Sequence, residues 1–92
     1  MSTRVAVISI IVESPENVEE LNRILSESRD YVIGRMGIPY REKNVSIICV
    51  AVDGPQDMIN SMTGKIGRLK GITAKTTYSN VISEDVNGKN EK

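Results

Sequence analysis

Residues 4–13 (RVAVISIIVE) and residues 45–52 (VSIICVAV) decide the fold. A half-buried strand alternates apolar and polar side chains at period two. These runs do not. In the first, Val5, Val7 and Ile11 point one way and Ala6, Ile8, Ile10 and Val12 the other. In the second, Val45, Ile47, Cys49 and Ala51 oppose Ile48, Val50 and Val52. Strands apolar on both faces sit mid-sheet with both faces covered.

The sequence supplies two helices to do the covering. Ser14-Pro15 starts the first, with Ser as a cap and Pro at the first helical position. Glu16, Glu19 and Glu20 lie in the early turns, where the helix dipole favours acids. Val18, Leu21, Ile24 and Leu25 form one apolar stripe, and the helix fades near Ser28. Asp53-Gly54-Pro55 is a turn signal, and Asp53 is a candidate cap for the second helix. Met58, Ile59, Met62, Ile66 and Leu69 follow at helical spacing, and Gly71 is a stop.

Two weaker strands complete the pattern. Residues 31–36 (YVIGRM) form the second strand, with Gly34 suiting an edge or a bulge. Residues 37–44 (GIPYREKN) are read as a connection. Residues 72–78 alternate, apolar on one face only. The order is strand, helix, strand, strand, helix, strand. The hydrophobicity ranking places strands one and three centrally and two and four at the edges. The expected fold class is α+β: a ferredoxin-like βαββαβ domain, a four-stranded antiparallel sheet with two helices on one face. It spans residues 1–78. Residues 79–92 (SNVISEDVNGKNEK) are polar and aperiodic and read as a disordered tail.

That fold leaves one sheet face open. An exposed apolar face of several hundred square ångströms is rare on a monomer. A domain of about 78 residues is also marginal on its own core, and a single Cys offers no disulfide within the chain. The expected cover is another copy of the protein. A dimer or tetramer would form through Val5, Val7, Ile11, Val45, Ile47 and Cys49.

Lys and Arg number twelve, as do Asp and Glu, for a net charge of zero. The distribution is uneven. Residues 1–28 carry five Glu against two Arg, or −3, while residues 29–75 reach +4. This is either a pair of complementary neighbouring surfaces or an anion site in the middle segment. It is not the basic stripe of a nucleic-acid binder. The chain has no Phe or Trp and three Tyr, so it lacks the aromatic platform of RNA-binding sheets. No apolar run approaches the roughly 20 residues of a membrane span, and no signal peptide is evident. The expected compartment is the cytoplasm.

Catalytic chemistry is sparse. There is no His, the usual general base and a common metal ligand. Cys49 lies in an apolar strand with no activating partner in the sequence. Gly64-Lys65 does not complete a phosphate loop, because Ile59 and Ile66 occupy required positions. No catalytic residue, metal or cofactor is expected.

Arg35, Gly37, Pro39, Arg41, Glu42 and Asn44, followed by Gly64, Lys65, Gly67 and Gly71, form a pattern that resembles the iron-only hydrogenase system regulators, short ACT-like domains. The resemblance covers about residues 4–78. It implies a non-enzymatic regulatory role beside iron-only hydrogenases. ACT-type domains bind small effectors at subunit interfaces, which implies Arg35, Gly37, Pro39, Arg41, Gly64, Lys65 and Gly67 as ligand-binding candidates. Arg35, Arg41 and Lys65 would hold a carboxylate or phosphate. Alternatively, Gly34 and Gly37 shape a bulge, and Gly64 and Gly67 allow tight helix packing. The fold is also similar to the metal-binding domain of nickel-responsive regulators. Their His ligands are missing here, and no DNA-binding segment is expected before the first strand, so nickel sensing does not carry over. The competing role is a structural subunit that binds a hydrogenase-related protein and assists maturation.

Overall fold

The computed structural model describes residues 2–84. β1 (Ser2–Val12), α1 (Val18–Glu27), β2 (Val32–Tyr40), β3 (Val45–Gly54), α2 (Gln56–Gly67) and β4 (Ile72–Glu84) follow in that order. The sheet order is β2-β3-β1-β4, antiparallel throughout. This is the ferredoxin-like βαββαβ arrangement. The two most apolar strands are central, as their patterning requires.

β1 and β3 pair with Ile8 opposite Val50, Val7 opposite Ala51 and Ile11 opposite Ile47. Facing residues share a side of the sheet, so this register sorts the side chains into two sets. Ala6, Ile8, Ile10, Val12, Val50 and Val52 are buried beneath the helices. Leu21, Ile24 and Leu25 of α1, with Ile59, Met62 and Ile66 of α2, close the core from above. Both helical stripes are the ones their spacing predicts.

The first helix opens as a 3-10 turn, Pro15–Asn17, before becoming α-helical at Val18. Ser14 caps that turn: its extended backbone lets Oγ accept from the Glu16 N–H at 3.2 Å. Ser14→Ala is expected to cost about 1 kcal/mol, read as a lower denaturant midpoint at constant slope.

Several local expectations are corrected. β2 starts one residue later than Tyr31 and continues to Tyr40, absorbing Gly37, Ile38, Pro39 and Tyr40. An edge strand tolerates proline because one side needs no partner, and Pro39 stands opposite Ser46. The β2–β3 turn shrinks to residues 41–44, with Asn44 at φ 59. Asn is among the side chains that accept this left-handed conformation. Asp53 does not cap α2. It belongs to β3, and the cap position is Pro55, with no side-chain cap bond. β4 runs past Tyr78 to Glu84, so part of the expected tail is strand: Ser2, Thr3 and Arg4 pair with Glu84, Ser83 and Ile82. Residues 85–92 of that expected tail lie outside the described residues.

The glycines divide by role. The β2–β3 register shifts between Val32 and Gly34, a bulge at the place Gly34 marks. Gly37, Gly64 and Gly67 do not accommodate close packing. An added Cβ would meet nothing within 4 Å at Gly37 or Gly67, and only Arg68 Nη1 at 3.6 Å at Gly64.

At the far end of β1, Arg4 ties three elements together. Its guanidinium lies 4.6 Å from the centroid of the Tyr78 ring, and Nη2 donates to the Ser79 carbonyl at 2.7 Å. Nη1 reaches Gln56 Oε1 at 3.3 Å. Tyr78 in turn donates to Asn60 Oδ1 on α2.

Candidate functional site

The dominant surface feature is the sheet face away from the helices. Val5, Val7 and Ile11 on β1 and Ile47 on β3 are each between 37% and 42% exposed. By register, Met36, Ile38 and Tyr40 of β2 face Cys49, Ile47 and Val45 on the same side. Met36 is 57% exposed and Ile38 46%. Val45 and Cys49 are half-buried within the sheet. Apolar side chains therefore run across β2, β3 and β1, with Ser9 between Val7 and Ile11 as the polar residue among them. Polarity returns at the margin, where Thr73, Lys75 and Thr77 of β4 stand opposite Ile11, Ser9 and Val7. The contribution of β2 is missing from the sequence reading. Ending that strand at Met36 hid the alternation of Met36, Ile38 and Tyr40.

A shallow depression of about 290 Å³ lies on this face, bounded by Val7, Gly34, Arg35, Met36, Cys49 and Ala51. Gly34 and Ala51 form a paired position without bulk. The depression is apolar and offers a seat for an aliphatic side chain.

The three basic candidates do not converge within one protomer. Arg41 borders a cavity of about 250 Å³ with Ser14, Pro15, Pro39 and Asn44, at the junction of the β1–α1 connection and the β2–β3 turn. Lys65 borders a smaller one of about 110 Å³ between the helices, beside Glu27 and Met58. Arg35 borders a third, of about 330 Å³, between α1 and β2. Of the sequence-derived candidates, only Pro39 and Arg41 share a cavity.

Among the described residues no group of His, Cys, Asp and Glu could hold a metal ion. Cys49 is half-buried in mid-sheet, between Met36 and Ser9 on the neighbouring strands. Among the described residues no helix is long and apolar enough to cross a membrane.

Tyr78 carries a shifted acidity. Burial raises its pKa above the ordinary phenol value, the Arg4 guanidinium opposes the shift, and Asp57 adds to it. A raised pKa means that the folded state holds the proton longer than the unfolded state. Its stabilising contribution is complete below the unfolded phenol pKa of about 10 and is lost as pH rises through the folded value. Tyr78→Phe is expected to flatten the alkaline loss of stability, measured as denaturant midpoint against pH.

The central strands and the open face extend across the region that a family model covers. The model described as "Iron-only hydrogenase system regulator, putative" (TM1266-like) matches residues 4–76. The chain belongs to this TM1266-like family. Among solved structures it is similar to the uncharacterized protein TM1266 from Thermotoga maritima. Identity is 27% and the TM-score 0.79, covering 83% of this chain and 96% of that one. It is also similar to part of a formyltetrahydrofolate deformylase from Pseudomonas putida KT2440. There identity is 18% and the TM-score 0.58, over 79% of this chain and 28% of the deformylase. That second likeness is one of fold. No curated protein matches the chain.

The family match spans β1 to the middle of β4 and so includes the whole apolar face. In this TM1266-like chain an exposed apolar surface covers one side of the sheet, and clefts bordered by one or two basic side chains lie around the helices and the β2–β3 turn.

Proposed function

We propose that this TM1266-like protein is a non-catalytic regulatory module of the iron-only hydrogenase system. It works in the cytoplasm as a homo-oligomer that pairs through the open sheet face and responds to a small anionic effector. The observation that carries the reading is the predominantly apolar surface of β2, β3 and β1, with Val7, Ile11, Met36 and Ile38 all above 40% exposed. Such a surface needs a partner. A second copy is the partner that fits. The face carries little charge, with Asp53 opposite Val5 and Lys75 opposite Ser9, and it matches itself in chemistry across a two-fold axis. Four strands about 4.8 Å apart and about 30 Å long present roughly 600 Å² per copy, or roughly 1,200 Å² in a pair. That is the lower end of the range for specific, stable interfaces.

The regulatory part rests on family membership and on the shortage of catalytic groups. Basic side chains border clefts that open away from the sheet face, where an effector could be held. The role is tested by deleting the gene in the encoding organism and measuring iron-only hydrogenase transcript and activity. A change of several-fold is expected, restored by the wild-type chain and not by a variant that cannot pair. Unchanged transcript and activity in the deletion strain would contradict the role.

A further inference from the structure

We propose that the cleft between α1 and β2 binds a small aliphatic monocarboxylate. The proposal rests on the reading of the chain as an effector-binding regulator and names the site and ligand class that the reading leaves open. The cleft has a volume of about 330 Å³, at the small end of the range for ligand sites. Its apolar contact surface is the half-buried Val32, with Leu25 and Val50 packed behind it in the core. Its rim is polar and cationic, made by Asn22, Ser26, Arg29 and Arg35.

The two arginines do different work. Arg29 follows the C-terminal end of α1, where unsatisfied carbonyls leave a partial negative charge. Its Nη1 donates to Ser26 Oγ at 3.2 Å and lies 3.4 Å from the Ser26 carbonyl. Arg29 therefore offsets the helix end, which would otherwise repel an anion. Arg35 is the free group. It points to the helix side because it stands opposite the buried Val50. Among the described residues the ion pairs join Arg23 to Glu20 and Glu27, and none involves Arg35. Its planar fork suits a carboxylate.

The apolar surface and the rim together select the ligand. An inorganic anion would satisfy Arg35 and leave the accessible part of Val32 wet. An alcohol would cover Val32 and leave the guanidinium without a counter-charge. A zwitterionic amino acid would bring an ammonium into a cleft lined by no carboxylate. A carboxylate with a short hydrocarbon tail meets both parts. The cleft opens on the helix side of the sheet, and Arg35, on the edge strand, also borders the depression on the apolar face.

The test is calorimetric titration of the full chain with acetate, butanoate, hexanoate and hexan-1-ol, repeated on Arg35→Gln and Arg41→Gln. Affinity is expected to rise about fourfold per methylene from acetate to hexanoate. Hexan-1-ol should bind at least tenfold more weakly than hexanoate. Arg35→Gln should weaken hexanoate about tenfold or more, while Arg41→Gln leaves it unchanged. Arg35 is exposed, so the variant should fold normally, and circular dichroism verifies this. Hexanoate binding that ignores chain length or survives Arg35→Gln overturns the assignment. So does binding of acetate that responds only to Arg41→Gln, an outcome that leaves the effector reading standing. Silence with every anion removes both.

Discussion

Val7→Asp is expected to convert the assembled protein into folded monomers, weakening self-association by a thousandfold or more. Val7 lies near the middle of the open face, with Ala51 and Thr77 on either side. In a two-fold pair each substitution counts twice, so two carboxylates would enter a largely apolar seam whose cation, Lys75, stands at the β4 margin. Each buried, unpaired charge costs several kcal/mol, and about 4 kcal/mol already corresponds to a thousandfold in dissociation constant. In the single chain the same position is 41% exposed. There the carboxylate remains hydrated, and the change costs about 1 kcal/mol or less of strand propensity. Sedimentation with circular dichroism separates the two effects. Loss of assembly with unchanged secondary structure is the expected result. A variant that assembles as well as the wild type would place the interface elsewhere.

Gly71→Ala is expected to destabilise the fold by about 2–4 kcal/mol. Gly71 sits at φ +84, where a side chain is strained, at a cost of about 1–2 kcal/mol. It is also hemmed in: a Cβ there would lie 2.7 Å from Ser14 Cβ. The contact is not free to relax, because the Gly71 carbonyl accepts from the Glu13 N–H at 2.8 Å and the neighbouring Lys70 carbonyl from Asn17 Nδ2 at 3.0 Å. The α2–β4 connection is thus fastened to the β1–α1 connection, and Ser14 has no room to retreat. For a domain of this size each kcal/mol lowers Tm by about 4–8 °C. Thermal unfolding should show a fall of roughly 10–25 °C. A shift within 3 °C or so of zero would mean that the two connections separate freely.

Most of the architecture was legible because hydrophobic periodicity and burial agree. Val5, Val7 and Ile11 occupy one face, and Ala6, Ile8, Ile10 and Val12 the other, as the doubled apolar pattern requires. Leu21, Ile24 and Leu25, and Ile59, Met62 and Ile66, are the buried helical sets. The boundaries were less legible where local chemistry and tertiary pairing disagree. Gly37 and Pro39 are breakers in isolation, yet β3 provides a ladder that carries them within β2 to Tyr40. Residues 79–84 look polar and unstructured, but the exposed backbone at the start of β1 recruits them. Asp53 is a good cap by type and a poor one by place, since β3 extends through it.

The candidate sites were legible in part. The central strands of the apolar face follow from the sequence, whereas the β2 share depends on a strand end that local propensity places too early. The cations Arg35, Arg41 and Lys65 are prominent in the sequence, but they border three different cavities. Sequence spacing cannot disclose this, because a strand, a turn and a helix carry them in three directions. Asn22, Ser26 and Arg29 escaped notice for a related reason. They become neighbours of Arg35 only when the end of α1 folds back against β2.

The central claim is that the apolar sheet face is closed by a second copy. Sedimentation velocity on the wild-type chain, diluted through the micromolar range, tests it directly. The account predicts a particle of at least twice the chain's mass that persists on dilution and is lost in Val7→Asp. A single-chain particle throughout that range, as well folded as the concentrated protein, would contradict it.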